Sequence, residues 1–432
     1  MAEVKIGVLG FGTVGAGVVE GIFQNAELME QRTGIRPVVA KIADLDITTD
    51  RGITVDDGVL TTDAADVFDN PEIDVVVETI GGSTIAKDFT LKALNNGKPV
   101  VTANKKMLAE YGEEIFGAAK ANNVGVYFEA SVGGGIPCLR ALKDGLIGNR
   151  IKSIYGILNG TCNYILTRME REGLEFDAVL EQAQALGYAE TPPDLDIDGI
   201  DTAHKAVLLA SLAYGAPVPL EACKVQGIRG LDKREIEYAA ELGYRIKLLG
   251  VVKDHGGKYE VRVEPALVPQ TSMIGSVMDV FNAVLVDGDI VDETLYYGKG
   301  AGRLPTGSAV IGDIMEAAMK LGAGKGEPVS NWIMLNESLD LVAAEENEMR
   351  CYLRMALKDQ PDVLAKVAHI LGEHNISIAS VIQKESHEDG FVPVVILTHK
   401  AKESEFETAL AEIQGLDVVG NEVVRLAIED FA

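Results

Sequence analysis

A carboxylate and an amine stand four residues apart at the start of an apolar stretch. In a helix, Asp201 and Lys205 would share one face, and the residues that follow, as far as Ala213, are apolar except for Ser211. On a surface such a pair contributes only about 0–1 kcal/mol, whereas removing it from water costs free energy. The pattern therefore favours a functional site on a mostly buried helix, with a surface ion pair as the alternative. We interpret His204, which lies off that face, as structural.

The loop before this helix is crowded with carboxylates. Residues 187–198 read GYAETPPDLDID and include Glu190 and Asp196. Together with Asp201, these side chains could bind a cationic group such as the ammonium of an amino acid. A solvated acidic surface loop is the alternative.

A glycine-rich turn close to the N-terminus is typical of dinucleotide binding. Residues 10–15 read GFGTVG, between an apolar β-rich run (4–10) and a helical pattern (13–29), which is the context that the G-x-G-x-x-G pattern requires. Gly10 would permit the tight turn, Gly12 would let a pyrophosphate approach the backbone, and Gly15 would let helix and strand pack closely. The phosphates would meet free N–H groups at the helix N-terminus. A turn without a ligand is the alternative. The cofactor-binding residues predicted here are Gly10, Gly12, Thr13, Val14 and Gly15.

Asp44 closes the second predicted strand. An acid at this position accepts hydrogen bonds from the adenine-ribose hydroxyls and repels a 2′-phosphate. The sequence therefore predicts a preference for NAD, or the use of both NAD and NADP.

Two further strand ends carry groups that could bind a ligand. Lys105 follows the fourth predicted strand, and ligands of open α/β sheets bind beyond the carboxyl ends of the strands; a solvated lysine is the alternative. Glu129 precedes the glycine-rich residues 132–137. A carboxylate and carbonyl oxygens suit a hard cation, although a plain tight turn is the simpler alternative.

The elements that must position these residues fall into three units. Residues 1–130 alternate strands with helices, which predicts a Rossmann domain with a doubly wound parallel sheet, completed by a helix near 303–322. Residues 131–322 predict an α+β domain that carries the candidate substrate-binding residues, and residues 323–348 a linker. Residues 349–432 follow the ferredoxin-like order βαββαβ. The patterns predict strands at 4–10, 38–44, 74–79, 98–103, 124–129, 150–160, 258–268 and 292–298, and helices at 13–29, 84–96, 105–122, 161–172, 175–186, 199–214 and 308–321.

Bulk composition narrows the class of protein. The 432 residues are too many for one core, and the formal net charge of −27 argues against nucleic-acid binding. We find no apolar run long enough to span a membrane and no leader pattern, so we expect neither a membrane partner nor secretion. The four cysteines lack disulfide or metal-ligand spacing, which indicates reduced thiols in a cytoplasm.

Taken together, these motifs resemble the monofunctional bacterial homoserine dehydrogenases that carry a C-terminal ACT domain. The segments that carry the resemblance, over nearly the whole chain, are GFGTVG (10–15), TANKK (102–106), FEASVGGGIP (128–137), ILNGTCNYIL (157–166), GYAETPPDLDIDGIDTAHK (187–205) and GKGAG (298–302). The resemblance implies NAD(P)H-dependent reduction of L-aspartate 4-semialdehyde to L-homoserine, on the route to threonine, methionine and isoleucine.

The resemblance also implies roles for individual residues. It places Lys205 and Lys105 at the reacting oxygen, Lys205 as general acid, and it places Glu190, Asp201 and the Gly187 backbone around the amino acid. Thr79 and Gly302 match cofactor-contact positions. A sodium ion would lie on Glu129 and the carbonyls of Val132, Gly134 and Ile136. The family implies a homodimer through the middle domain, or a homotetramer through ACT pairing.

The C-terminal unit resembles a domain that senses amino acids. Family members often have a glycine after the proline of the first βα turn, and here Asp362 follows Pro361. An amino-acid effector such as threonine is one expectation, and a mainly oligomer-building role is the alternative.

Two other functions remain open at this point. An aldehyde dehydrogenase such as aspartate-semialdehyde dehydrogenase needs an activated cysteine with a base; Cys138 and Cys162 follow glycine-rich turns, but no histidine is near either in sequence. A non-catalytic amino-acid sensor would combine the cofactor and ACT units. The polar pair Asp201–Lys205 on a buried helix argues against it.

Overall fold

Alternating strands and helices build the first unit of the computed structural model, which describes residues 2–322, 332–383, 390–420 and 423–431. All strand pairs in its six-stranded sheet are parallel, and the strand order is β3-β2-β1-β4-β5-β6. This is the doubly wound order of a dinucleotide-binding sheet. The elements are β1 (Ala2–Leu9), α1 (Thr13–Thr33), β2 (Ile35–Ala43), β3 (Leu60–Thr61), α2 (Ala65–Phe68), β4 (Val75–Glu78), α3 (Thr84–Asn95), β5 (Val100–Thr102), α4 (Lys105–Asn122) and β6 (Val126–Tyr127).

Apolar residues on both faces of this sheet explain why its strands are almost continuously hydrophobic. Val75 and Val77 of β4 join the core on the face of α1, whereas Val76 joins the core on the face of α3 and α4. Strands covered on both sides are expected to show such runs. The predicted Rossmann fold is confirmed. The short strand β3 was not predicted, and β6 ends at Tyr127 because a 3₁₀ turn begins at Glu129.

The second unit is an antiparallel sheet covered by helices. The strands run in the order β12-β11-β7-β9-β10, and α9 packs on β9 and β10 with most of its residues buried, as its sequence predicts. The elements are α5 (Cys138–Arg140), β7 (Ile151–Ile157), α6 (Gly160–Glu172), α7 (Phe176–Ala185), α8 (Asp194–Ile197), α9 (Ile200–Tyr214), β8 (Lys224–Val225), α10 (Lys233–Glu241), β9 (Tyr244–Asp254), β10 (Tyr259–Pro269), β11 (Phe281–Gly288), β12 (Asp292–Lys299) and α11 (Arg303–Gly322).

Helix α11 returns to the first unit and packs on α1. A Cβ atom on Gly17 would overlap the carbonyl oxygen of Arg303, so the absence of a side chain at Gly17 is what allows the two helices to pack this closely. The helix spans Arg303–Gly322, as predicted for the helix that completes the Rossmann domain, and begins five residues before the helical pattern at 308–321. Pro305 lies in its first turn, where a proline loses no hydrogen bond.

The third unit has the predicted ferredoxin-like order. Its elements are β13 (Glu348–Lys358), α12 (Val363–Glu373), β14 (Ile378–Gln383), β15 (Phe391–Thr398), β16 (Ala401–Lys402), α13 (Glu403–Gln414) and β17 (Val424–Ile428). The unit is not an isolated module, because β17 pairs in parallel with β10. The two sheets therefore join into one sheet of eleven described strands, with the order β10-β17-β13-β15-β14 at the junction.

The predicted linker is only partly described. Residues 323–331 lie outside the described residues. Its later part runs along β10, where Val342 N–H donates to the carbonyl of Tyr259. In the part of the chain that the structure describes, no helix combines the length and apolarity that a membrane crossing needs.

Candidate active site

A cleft of about 360 Å³ lies where the first unit meets the second. It brings together three regions that are far apart in sequence: the glycine-rich turn, the ends of β4 and β5, and the acidic loop with the start of α9. The lining residues are Val14, Thr79, Ile80, Gly81, Gly82, Ala103, Asn104, Lys105, Lys106, Glu190, Leu195, Asp196, Asp201 and His204. The cleft thus joins predicted cofactor contacts to predicted substrate contacts.

The glycine-rich turn has the geometry that a phosphate group needs. Gly10 has a φ of +95°, which disfavours other residues, and a Cβ atom on Gly15 would overlap the Gly10 carbonyl. Nothing lies within 4 Å of a Cβ built on Gly12. No side chain caps α1 at Gly12, so the first N–H groups, beginning with Thr13, remain for an anion. Thr79 donates its hydroxyl to the Gly10 carbonyl at 2.9 Å and steadies the turn.

Asp44 lies beside this turn at the carboxyl end of β2. Its Oδ2 accepts from the N–H of Phe11 at 2.5 Å, and its Oδ1 accepts from the N–H of Asp46 at 2.8 Å. The carboxylate is therefore fixed next to the turn, where the ribose of a dinucleotide would lie.

Asp201 is the centre of the charged cluster in the cleft. Its Oδ2 lies 2.7 Å from Lys205 Nζ, and its Oδ1 lies 3.1 Å from Lys105 Nζ. Lys205 also donates to the carbonyl of Leu158 at 2.6 Å. Burial favours the neutral acid, but the two lysines hold the pKa of Asp201 well below its ordinary value. Asp201 in turn raises the pKa of Lys105, so both partners are ionised at neutral pH.

The two lysines differ in their exposure to solvent. The Lys205 side chain is 10% exposed, whereas that of Lys105 is 36% exposed. Lys205 comes from the middle of a buried helix, and Lys105 begins α4 at the rim of the Rossmann sheet. Residue spacing predicted the Asp201–Lys205 pair, and the family resemblance placed Lys105 in the same site. Neither predicted that Lys105 and Lys205 share the carboxylate of Asp201.

The acidic loop contributes Glu190 and Asp196 to the cleft, whereas Gly187 and Gly302 do not line it. The N–H of Gly187 donates to the carbonyl of Gln184 at 3.0 Å. Burial raises the pKa of Asp196, and hydrogen bonding by Asn159 opposes that increase. Gly302 precedes α11 with a φ of +123°.

His204, which we interpreted from sequence as structural, is buried in the wall of the cleft, and burial lowers its pKa.

Glu129 is the buried carboxylate of the candidate cation site. Its Oε1 accepts from Leu139 N–H at 3.0 Å and its Oε2 from Arg140 N–H at 2.6 Å, which leaves further lone pairs on both oxygens. Burial raises its pKa to about 6, against these two donors. The described residues contain no cluster of three or more His, Cys, Asp or Glu side chains that could hold a metal ion. A carboxylate and backbone carbonyl oxygens, the donors of this segment, are the ligand types that hard cations prefer.

Glu78 is a buried acid that the sequence analysis missed. Its Oε2 accepts from the hydroxyl of Thr102 at 2.5 Å and its Oε1 from the N–H of Ile80 at 2.7 Å. Asn104 donates to the carbonyls of Ile80 and Gly82, so the ends of β4 and β5 are tied together just before Lys105. The signal was present, since an acid ends the apolar run DVVVE, but that run indicated only a strand.

The substitution Glu78→Gln should flatten the pH dependence of stability. Burial raises the pKa of Glu78 to about 7, above its ordinary value of 4.5. The folded protein therefore keeps a proton that the unfolded chain releases, and this stabilisation is lost as pH rises from about 4.5 to 7, by about 3 kcal/mol in all. Urea unfolding at pH 5 and pH 8 measures it: relative to wild type, the Gln variant should gain stability at pH 8. An identical pH dependence in both proteins would contradict this role.

The cysteines have the wrong environment for a nucleophile. Cys138 and Cys162 are buried with free thiols, and burial raises the pKa of both far above the ordinary value. A thiol without an accessible thiolate form does not attack an aldehyde. The geometry thus disfavours the cysteine-dependent aldehyde dehydrogenase alternative.

Comparisons with known proteins agree with this geometry. Residues 137–315 match the family model described as homoserine dehydrogenase, residues 10–129 match its NAD binding domain, and residues 352–418 match the ACT domain. The chain is 44% identical to homoserine dehydrogenases of Neisseria gonorrhoeae and of Pseudomonas aeruginosa, with complete coverage of each chain.

Solved structures show the same similarity. The chain superimposes on a homoserine dehydrogenase from Thiobacillus denitrificans with a TM-score of 0.95 and 42% identity, covering 100% of this chain and 99% of that one. For a homoserine dehydrogenase from S. aureus, the TM-score is 0.76 and the identity 30%, with 99% of each chain covered.

Proposed function

The chain belongs to the homoserine dehydrogenase family of NAD(P)-dependent oxidoreductases, and on this premise we propose that it reduces L-aspartate 4-semialdehyde to L-homoserine. The observation that carries the proposal is the joining of two lysines by Asp201 in a cleft that also reaches the glycine-rich turn. On the family resemblance, the product enters the routes to threonine, methionine and isoleucine.

Lys205 is the proposed general acid. A nicotinamide cofactor would supply hydride to the aldehyde carbon. The π electron pair of the carbonyl would then move onto its oxygen, and the resulting alkoxide would need a proton. An ammonium group has three N–H donors, and Lys205 directs two of them to Asp201 and to the Leu158 carbonyl. The third is left for the substrate oxygen, where it stabilises the developing charge and transfers the proton.

Lys105 and the acidic loop have the proposed task of holding the substrate. Lys105 is held against Asp201 at the exposed side of the cleft, where it can direct an N–H towards the substrate oxygen or the nicotinamide. Glu190 and Asp196 line the same cleft, and with Asp201 they supply negative charge for the ammonium of the amino acid. The Gly187 carbonyl is a further proposed acceptor.

Sodium is the cation that we propose for the Glu129 site, on the family resemblance. Glu129 and the carbonyls of Val132, Gly134 and Ile136 would hold it, and a fixed charge there would keep the segment after β6 in place. Gly134 supports this, because its φ of +53° turns the backbone of that segment.

An amino-acid effector is the proposed ligand of the ACT domain. Asp362 has a φ of +75°, so it adopts the left-handed conformation that a glycine at this position would favour. The backbone of the turn is thus retained although the side chain differs. Assembly into homodimers or homotetramers, a cytoplasmic location and the absence of nucleic-acid and membrane partners stay predictions.

The substitution Asp44→Asn tests the proposed preference for NAD. The wild-type protein should have a higher kcat/KM with NADH than with NADPH, because the fixed carboxylate of Asp44 repels a 2′-phosphate. The amide keeps the size and the acceptor for Phe11 N–H but removes the charge, so the NADH-to-NADPH ratio should fall about tenfold, which corresponds to about 1.4 kcal/mol. A wild-type protein that strongly prefers NADPH would disprove this preference.

Turnover of L-homoserine tests the proposed function as a whole. With L-homoserine and NAD⁺ or NADP⁺, absorbance at 340 nm should rise with time, whereas L-serine, one methylene shorter, should give a much lower rate. Flat traces with both cofactors, together with tight homoserine binding in calorimetry, would favour the sensor alternative.

A further inference from the structure

Asn159 lies at the junction of β7 and α6 and uses every polar atom of its side chain. Its Oδ1 accepts from the N–H of Cys162 at 2.8 Å and caps the first turn of α6. Its Nδ2 donates to Asp196 Oδ1 at 2.8 Å and to Asp201 Oδ2 at 3.0 Å. Only 5% of the residue is exposed, so these three contacts replace solvent.

Capping alone does not require an asparagine here. Serine and aspartate cap helices about as well as asparagine, since the cap needs only one acceptor. Among these residues, only asparagine adds two N–H donors, and both are used on carboxylates. The amide therefore has a second function besides the cap.

That second function is electrostatic. Burial raises the pKa of Asp196 and so does the negative charge of Asp201, whereas the Asn159 donor lowers it. For Asp201, burial is outweighed by Lys205, Lys105 and Asn159. A neutral amide between two acids stabilises both ionised forms without adding charge.

The same junction also holds the lysine. Leu158, the neighbour of Asn159, accepts from Lys205 Nζ at 2.6 Å through its carbonyl. Two consecutive residues thus fix the acid and the proposed proton donor relative to each other. The charged and titratable groups that interact with the two acids are Lys105, Cys162, His204 and Lys205. Glu190 acts on Lys105, and Asp198 acts on Cys162.

We propose that Asn159 is a positioning residue for the reaction: its amide donates to both Asp196 and Asp201 and holds Asp201 between the two lysines. Asn159 acts through these side chains rather than on the substrate. The inference rests on the proposed function for the step that it supports.

The experiment compares two variants that both keep the cap. Asn159→Ser retains an acceptor for Cys162 N–H and loses both donors, whereas Asn159→Asp keeps the size and places a third negative charge in the cluster. The matched control is Asp232→Ser, which exchanges one capping residue for another at α10, where Asp232 accepts from Arg234 N–H. The measurements are the thermal unfolding temperature and kcat/KM for the reduction of L-aspartate 4-semialdehyde by NADH from pH 5 to 10. In this direction Lys205 acts as an acid and titrates on the basic limb, so the acidic limb reports the carboxylates.

Both Asn159 variants should show a changed pH profile. Loss of the donors raises the pKa of the acid pair, so the acidic limb of log kcat/KM should move by about one pH unit or more towards higher pH. At a pH below the apparent pKa of the acidic limb, a shift of one pH unit should make the Ser variant about tenfold slower than wild type, and the Asp variant slower still. The control should keep the wild-type profile.

The outcomes separate this inference from the function on which it rests. If wild-type protein does not reduce L-aspartate 4-semialdehyde, the proposed function fails, and the positioning role fails with it. If wild type is active and both variants keep its profile, only the positioning role is overturned. An equal loss of kcat/KM at every pH with an unmoved acidic limb also overturns it, because that is the result of a purely structural residue. Should the Ser variant not fold, the near-isosteric Asp variant decides.

Discussion

Replacing Lys205 with alanine is expected to lower kcat by about 10²–10⁴-fold, the usual contribution of a positioned general acid. The ammonium is 10% exposed and is held by Asp201 and the Leu158 carbonyl, so solvent cannot easily replace it. Lys105 remains beside Asp201 in this variant, and the cluster keeps one cation. Steady-state kinetics with homoserine and NAD⁺ measures the effect.

Two further variants make this result specific. Lys105→Ala should lose kcat/KM mainly through a raised KM, because its side chain is at the open side of the cleft and holds the substrate. Lys152→Ala is the matched control: it removes a lysine of β7 whose ion pair with Asp287 is largely exposed, and it should behave as wild type. If Lys205→Ala and Lys105→Ala both keep a kcat close to wild type, the assignment of the lysines is wrong.

The largest effect on stability is expected from Arg262→Met. Arg262 is 1% exposed on β10, and its guanidinium binds three carboxylates, those of Glu260, Glu264 and Glu429. Burial opposes the charge of Arg262, but the three acids hold its pKa well above the ordinary value. Removing one partner of a buried ion cluster leaves unpaired charge and destabilises a protein by about 3–5 kcal/mol. Urea unfolding at pH 7.5 should show a loss of that size.

This cluster also spans the junction of the second and third units. Glu429 follows β17, the strand that continues the middle sheet at β10, and Lys253 binds it from β9 at 2.9 Å. The Met variant should therefore loosen the ACT domain as well, seen as faster amide exchange in β17. Arg36→Ala, which breaks an exposed ion pair with Glu30, is the control and should change stability by no more than about 1 kcal/mol. A loss of stability in Arg262→Met no greater than in this control would contradict the cluster's role.

The phosphate-binding turn and the charged pair on α9 could be predicted from the sequence because each depends on residues that are close together in the chain. The glycines at 10, 12 and 15 identified the phosphate-binding turn, and the spacing of Asp201 and Lys205 identified the charged pair on α9. Both signals lie within one or two turns of chain. The family resemblance added what the residues alone left open, namely the substrate and the reaction.

Contacts between segments that are far apart in the sequence could not be predicted from such local patterns. Nothing near Lys105 in sequence indicates that its ammonium meets Asp201, since that contact depends on how α4 and α9 pack. The pairing of β10 with β17 was missed for the same reason, because an edge strand does not specify its partner. Glu78 was hidden in an apolar run, and Asn159 resembled an ordinary helix cap.

The fate of the hydride tests the central claim most directly. L-Aspartate 4-semialdehyde is incubated with NADH deuterated at both C4 positions, and the products are identified by mass spectrometry and NMR. We expect L-homoserine with one deuterium on C4, formed at least about 10²-fold more slowly by Lys205→Ala and at the wild-type rate by Lys152→Ala. Unlabelled aldehyde recovered with intact cofactor, or an acyl phosphate formed instead from aldehyde, NAD⁺ and phosphate, would contradict it.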